Sequence, residues 1–452
     1  MVNARKPKHI TILGGGPAGL SVGYYAHKRA LPFTIYEASE RVGGNSITIR
    51  HGHFLFDSGP HLLQTKDVEM TNEILELLPG DFQKLVLPVQ TYSDGKLVDF
   101  PFSPLNLLKT LGIRFLARTV LEITQKKFGK SKARNFEELA TSMYGKSMAQ
   151  HFVLNYSEKL WGRPCSQLST RITGQQLRGM TLTTFLIEIF RGRNVKIRRL
   201  GGTIYYPKYG FGTIPERLAT LCESRNIRTK SRITSVIHEL DQIRSIELNG
   251  RMIETTDQVV STIPINLLIQ LLRPKPPEPI LAVAEKIQFR ALILVVVFLR
   301  KPSATESISI HFPEFRIPFT RIHEPKKRST HMAPDDQTSL VAEIPCQEND
   351  VTWNMSDATL IARVAKGLQE VKLMTPDELI DAIVVRLDNA YPVLDAEYEQ
   401  KIQQLAAYLK KFSNLKITGR TGGFAYLSLH HIMKNAKKTI SDYVGHESDN
   451  LA

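Results

Sequence analysis

Cysteine is scarce: the 452 residues hold three, Cys165, Cys222 and Cys346, far apart and in no paired spacing. This excludes a zinc ribbon, a thioredoxin-type redox pair and a disulfide framework, and it suits a reducing compartment. Long apolar runs are missing as well. The longest, Ala291 to Leu299, is bounded by Arg290 and Arg300 and falls far short of the roughly 20 residues that cross a bilayer as a helix. Met1 to Lys8 is basic, but a short apolar strand and glycines follow it rather than a secretory core with a cleavage site. The chain is therefore expected in the cytoplasm. No H-E-x-x-H, P-loop or Ser-His-Asp order occurs, and the 13 histidines are scattered apart from His430-His431, so no metal site is expected. Acids are outnumbered, 44 against 59 Lys and Arg, for a formal net charge of +15.

That imbalance predicts attraction to polyanions: nucleic acid, an acidic membrane leaflet, or a phosphate-bearing or lipid-linked small molecule. The basic residues gather in Lys109 to Arg134, where Glu122 is the only acid, and in Arg191 to Arg199, which has none. Neither stretch has the aromatic interleaving of a single-strand binder, so nucleic acid is not expected. Leu105, Leu108, Leu111, Phe115, Val120 and Leu121 can form an apolar stripe within the first stretch, a pattern suited to peripheral contact with an anionic membrane.

With 42% hydrophobic and 23% charged residues, the chain is globular and too long for one ordinary core. His9 to Leu13 reads as a strand, Gly14 to Gly19 as a turn, Leu20 to Ala30 as a helix, and Pro32 to Tyr36 as a second strand ending at Glu37. Helices are expected at Val68 to Leu77, Leu105 to Phe128 and Phe136 to Leu160. Strands are expected over Ile227 to Glu239, Ile243 to Leu248, Gln258 to Ser261 and Ala291 to Leu299. Arg273 to Pro279 reads as a linker, Leu415 to Thr418 as the last strand, with a closing helix after Gly423.

Gly14, Gly16, Pro17, Ala18 and Gly19 belong to a G-x-G-x-x-G turn between strand and helix. The first glycine makes the turn, Gly16 lets a pyrophosphate approach the backbone, and Gly19 lets helix and strand pack closely. Glu37 then stands where an acid accepts both hydroxyls of an adenosine ribose. The continuation Glu37-Ala38-Ser39-Glu40-Arg41-Val42-Gly43-Gly44 adds a second glycine pair, which lets another backbone segment lie along the cofactor, and Arg41, whose charge can meet its diphosphate. There is no second glycine fingerprint for a separate nicotinamide domain, because Gly210-Phe211-Gly212 lacks a preceding buried strand.

With these motifs the chain resembles the FAD superfamily of amine oxidases, protoporphyrinogen oxidases, phytoene desaturases and UDP-galactopyranose mutases. The resemblance implies an α/β fold: a Rossmann-like, glutathione reductase-type FAD domain from residues 1–65, 200–270 and 413–440, interleaved with an α+β substrate domain from 66–199 and 271–412. It implies FAD in an extended pose and a small-molecule substrate; with no cysteine or histidine at an obvious flavin-linking position, the FAD is expected to be non-covalent. Gly59, Pro60 and His61 are carried over as flavin-ring contacts, and Ile233 as a backbone contact to adenine. Gly419 and Arg420 would meet the diphosphate, with Leu427 and Ser428 at a helix N-terminus near the pyrimidine end of the ring. Asn155 to Pro164 is similar to a Y-[ST]-x-K-x-W-G pattern of galactopyranose mutases and their oxidoreductase-like relatives, which makes Trp161 and Tyr156 substrate-side candidates, beside His61 and Tyr426 from the two flavin-ring segments. Where those relatives carry an arginine past the tryptophan, Gln175-Gln176-Leu177 stand here, with Arg178 displaced. Glutamine offers no charged bidentate fork to a diphosphate. The resemblance thus implies a hydride-transferring oxidoreductase first and a redox-neutral sugar-nucleotide mutase second; no catalytic base is identified.

Overall fold

A computed structural model of the chain describes residues 8–64, 67–85, 88–100, 104–125, 133–173 and 203–449. Its organising element is a five-stranded parallel sheet in the order Ile227–Arg228, Phe33–Tyr36, Ile10–Leu13, Gln258–Ser261, Leu415–Ile417. Strands from three distant parts of the chain meet, and the central ones, Ile10–Leu13, Phe33–Tyr36 and Gln258–Ser261, are short, mostly apolar and largely buried, as the inner strands of a parallel sheet require. Between Ile10–Leu13 and Gln258–Ser261 the strand order reverses. Such a switch point opens a crevice at the carboxyl ends of the strands, and Gly14 and Thr262 begin the loops there.

Against this sheet lie the helices Pro17–Lys28, Thr213–Cys222 and Leu429–Asp449, sharing one apolar cluster with Ile10, Ile12 and Ile35. The first helix begins at Pro17, before the expected Leu20, so Ala18 and Gly19 belong to its first turn. The expected strand Ile227 to Glu239 divides: Ile227–Arg228 joins the parallel sheet, while Ile233–Glu239 turns into an antiparallel sheet with Gln242–Leu248, Met252–Thr255 and Leu272–Arg273. Leu272–Arg273 thus adds a strand where only a linker was expected, and a helix Glu278–Glu285 follows.

The second large sheet has seven strands, in the order Leu379–Pro392, Phe289–Leu299, Thr338–Cys346, Arg321–His323, Ser309–His311, Val89–Ser93, Lys96–Phe100. The unbroken apolar run lies near one end of it. Along Phe289–Leu299 the side chains of Ile293, Val295 and Val297 enter one core, and those of Leu292, Leu294, Val296 and Phe298 enter another, so no position from Leu292 to Phe298 is free to be polar. Sequence reading missed Thr338–Cys346 and Leu379–Pro392, whose polar and apolar residues do not alternate cleanly.

The expected helix Phe136 to Leu160 is interrupted. Gly145, at φ 78°, ends Phe136–Tyr144, and a π-helical stretch Ala149–Leu154 precedes Asn155–Trp161. The helix Pro104–Gln125 is also broken, at Gly112 (φ 81°, ψ 169°). Its two halves do not continue one stripe: Leu111 and Phe115 pack inward on Val98, Met148 and Phe152, while Leu108, Ile113 and Leu121 stay exposed. A strand, Ile204–Pro207, does precede Gly210, against expectation; it pairs antiparallel with Phe82–Leu85, so it starts no second dinucleotide fold.

Candidate cofactor and substrate site

At the switch point two glycine loops face each other. Gly43 N–H donates to Gly15 O at 2.9 Å, and a Cβ on Gly16 would find nothing nearer than Gly44 Cα at 3.9 Å. The cradle over Gly16 is therefore kept clear by the protein. The helix behind it starts with Gly16 as N-cap, with no side-chain cap and no acid in its first turn, so its orphan N–H groups and dipole favour an anion there. Gly19 serves a different need: a Cβ on it would press into the carbonyl oxygen of Gly14, far inside contact distance. Glu37 is held ready from two sides. Gly15 N–H donates to its Oε2 at 2.7 Å and Ser39 N–H to its Oε1 at 2.8 Å, and each oxygen keeps a lone pair for a hydroxyl. Lys230 N–H and Ser231 N–H bond Ser39 O and Glu37 O, which brings the start of Ile233–Glu239 beside that acid. Gly419, at φ +87°, presses close to Ala18, where a Cβ would lie 2.8 Å from Ala18 Cβ. The last loop thus closes on the first helix, and Arg420 beside it keeps a buried Nε without a hydrogen-bond partner. Open cradle, uncapped helix, ribose acid and the partnerless Arg420 Nε together fit a flavin dinucleotide.

Arg41 departs from its expected place. Its Nη2 donates to Thr48 O at 2.9 Å and lies 3.9 Å from Glu216, so the guanidinium braces its own loop instead of facing the cradle. A carbonyl and a carboxylate within reach of a long side chain hold it there.

The Asp57-Ser58-Gly59-Pro60-His61 segment is anchored below and aimed above. Asp57, fully buried, accepts from Tyr206 Oη at 2.6 Å, Thr48 Oγ1 at 2.7 Å and Phe211 N–H at 3.0 Å. Arg328, also fully buried, lies over the Tyr206 ring. Ser58 Oγ and His61 Nε2 both donate to Asn45 O, at 2.8 Å each, locking this loop to the second glycine loop. Burial, with Arg420 and Arg328 nearby, holds the His61 imidazole down at about 4, so it is neutral.

Facing His61 is a cluster that sequence reasoning missed in large part. The register of the seven-stranded sheet sets Arg321 opposite His311 on one side and Glu343 on the other. Arg321 binds Glu343 through two bonds, Nε to Oε1 at 3.0 Å and Nη2 to Oε2 at 2.6 Å. Burial alone would raise the Glu343 carboxyl; the Arg321 guanidinium and His323 hold it at about 2. His311, held at about 3 by burial, stacks on Tyr156 at 5.0 Å. Tyr391 lies 3.4 Å from Arg321 Nη2, and Arg420 sits over the rings of Tyr391 and Tyr426 at 5.6 and 4.7 Å. Burial raises the phenols of Tyr156, Tyr391 and Tyr426, so all three keep their protons. Four strands, a helix and two loops contribute, and no spacing in the sequence signals the set.

Trp161 stands behind this cluster. It is 5% exposed, packs with Phe136, Leu154, Cys165 and Val393, and meets Tyr391 and Tyr426 edge-on at 6.2 and 5.7 Å. Lys159 of the same motif is structural: its Nζ donates to the carbonyls of Phe312, Glu314 and Phe319. Gly162 is the left-handed C-cap of the helix, and the Arg290 guanidinium occupies the space a Cβ would need. Of the motif, Tyr156 and Trp161 reach the cluster. Gln175, Gln176, Leu177 and Arg178 lie outside the described residues. The closing helix starts at Leu429; Ser428 Oγ lies 2.8 Å from His431 Nδ1, and Leu427 is partly exposed. Among the described residues no group of three or more His, Cys, Asp or Glu is placed to hold a metal ion.

Residues 17–426 match the model of the flavin-containing amine oxidoreductases. The chain belongs to that family. Coproporphyrinogen III oxidase of Bacillus subtilis (strain 168) is 20% identical over 96% of this chain and 97% of its own. Among solved structures, a reduced UDP-galactopyranose mutase superposes with a TM-score of 0.85 at 19% identity, over 97% of this chain and 96% of that one. A candidate protoporphyrinogen oxidase of Exiguobacterium sp. does so with a TM-score of 0.77 at 20% identity, over 96% and 98%. Family membership implies a flavin cofactor, and the fold is the one these oxidases and the mutase share.

Proposed function

We propose that this family member is an oxidoreductase that holds FAD non-covalently and removes a hydride from an organic substrate, at a carbon beside nitrogen or oxygen or along a carbon chain. The observation that carries this reading is the commitment of Arg321. The edge formed by its Nε and Nη2 is taken up by Glu343, and the surrounding side chains are neutral imidazoles, protonated phenols and the ring of Trp161, with Arg420 at the border over Tyr391 and Tyr426. Such a surface suits an uncharged, ring-bearing or extended substrate better than a nucleoside diphosphate, whose phosphates need free bidentate cations. Non-covalent attachment is supported by the cysteines. All three are buried, with thiols pushed up to about 12 by burial, which makes them poor nucleophiles.

Gly14 to Gly19, Gly44, Glu37 and Gly419 would hold the dinucleotide, and the His61 loop would border its ring. Bound flavin supplies a two-electron acceptor. The chain's own residues position and desolvate. Tyr156, Tyr391 and Tyr426 offer O–H groups to a substrate heteroatom, the neutral imidazoles of His61 and His311 can accept from it, and Arg420 adds a positive charge at the edge of the set. The Arg321–Glu343 pair fixes His311 and Tyr391 without presenting net charge.

The second reading, a flavin-dependent sugar-nucleotide mutase, is supported by the Tyr156 to Gly162 motif and by the likeness to the reduced UDP-galactopyranose mutase. Redox behaviour separates the two. Under the first reading, a true substrate bleaches the oxidised flavin anaerobically and an added acceptor restores it. Interconversion of UDP-galactopyranose and UDP-galactofuranose by dithionite-reduced protein at about 1 per second or faster overturns it in favour of the second. Trp161→Phe is expected to lower turnover or affinity for the true substrate while flavin content stays unchanged.

A further inference from the structure

The broken helix Pro104–Gln125 presents a face that the proposed reaction does not use. After Gly112, the positions Ile113, Ala117 and Leu121 recur one helical turn apart and are exposed, Ile113 at 65% and Leu121 at 60%. Arg114 and Arg118 run beside them, also exposed. Leu108 and Leu97 are exposed in the same region, and Lys96 Nζ, which donates to Thr110 O at 3.2 Å, ties the hairpin carrying Leu97 to this helix. Glu122, the only acid between residues 104 and 134, is held at the edge of this face. Its carboxylate accepts from Ser147 N–H at 2.7 Å and Ser147 Oγ at 2.6 Å, and takes Arg118 Nε at 3.0 Å. The face left to solvent therefore combines large apolar side chains with positive charge.

We propose that this face docks the protein on an anionic lipid surface, with Ile113, Leu121, Leu108 and Leu97 entering the headgroup boundary and Arg114 meeting lipid phosphates. Charge complementarity names the occupant. A helix with apolar side chains along a cationic edge is the arrangement of helices that lie in an interface, and the chain's +15 net charge adds long-range attraction. A nucleic acid would use the arginines but would gain little from exposed aliphatic side chains, which favours lipid over RNA.

Flotation of the full-length holoprotein with vesicles tests this, using phosphatidylcholine alone and phosphatidylcholine with phosphatidylglycerol. The expected result is binding to the anionic vesicles only, lost at high salt. Arg114→Gln is expected to weaken it about 5-fold, Arg118→Gln less because Glu122 already offsets that charge, and Ile113→Asn with Leu121→Asn by about 10-fold or more. These positions are exposed, so the variants should keep the wild-type circular dichroism and flavin content. Absence of flotation at low salt overturns the proposal. So does flotation that the Ile113 and Leu121 variants leave unchanged while single-stranded RNA binds as well, because the face would then be a polyanion surface.

Discussion

Two glycines three residues apart in one turn are expected to respond oppositely to the same methyl group. At Gly16 the backbone is already extended (φ −73°, ψ −179°), a conformation alanine adopts freely, and the added Cβ meets nothing closer than 3.9 Å. Gly16→Ala should therefore leave the apoprotein intact or stabilise it by about 0.4–1 kcal/mol through the unfolded state. The methyl would instead stand where the diphosphate must approach the backbone. If it displaces one charge-assisted hydrogen bond, flavin affinity falls by about 1.5–3 kcal/mol, on the order of 10- to 150-fold. At Gly19 the Cβ runs into the backbone carbonyl of Gly14, the first residue after the strand Ile10–Leu13, so Gly19→Ala should destabilise apoprotein and holoprotein alike. Thermal unfolding with and without added FAD, together with flavin titration of the apoprotein, separates the two. A Gly16→Ala protein with wild-type flavin affinity, or a Gly16→Ala apoprotein as damaged as Gly19→Ala, would refute the placement of the cofactor in this cradle.

Glu37→Ala should weaken FAD by about 1.5–3 kcal/mol, the scale of a charge-assisted hydrogen bond, with unchanged far-ultraviolet circular dichroism; full retention of flavin through gel filtration argues against the ribose contact. Glu343→Gln strips the buried Arg321 of its counter-charge and should cost about 3–5 kcal/mol in urea unfolding, while the double change with Arg321→Met recovers most of it; a single-variant loss below about 1 kcal/mol contradicts the pair. Stability should also fall as pH drops from 6.5. His61, His311 and His323 are held by burial at about 4, 3 and 3 against an ordinary 6.5, so over that range the unfolded chain binds more protons than the folded one. Glu343, at about 2 against 4.5, extends the same trend below pH 4.5. A urea midpoint that is unchanged between pH 7 and 5 would be inconsistent with three imidazoles held neutral in the folded protein.

What the sequence determined alone is local. Gly14 to Gly19, Glu37 and Gly43-Gly44 announce a dinucleotide cradle because each depends on backbone geometry within a few residues: a turn, a close approach, an acid at a strand end. The run Ala291 to Leu299 declares a doubly buried strand because no polar residue interrupts it. The substrate cluster obeys other rules. His311, Arg321, Glu343 and Tyr391 become neighbours through strand register, which forms across long loops and leaves no periodic trace. Tertiary packing also decided the fate of single residues that motif reading could only nominate: Arg41 turned to a carbonyl, Lys159 became a clamp on three carbonyls, and Trp161 moved behind the tyrosines. A long side chain goes to whichever partner the fold brings within its reach, and only the assembled structure sets that list.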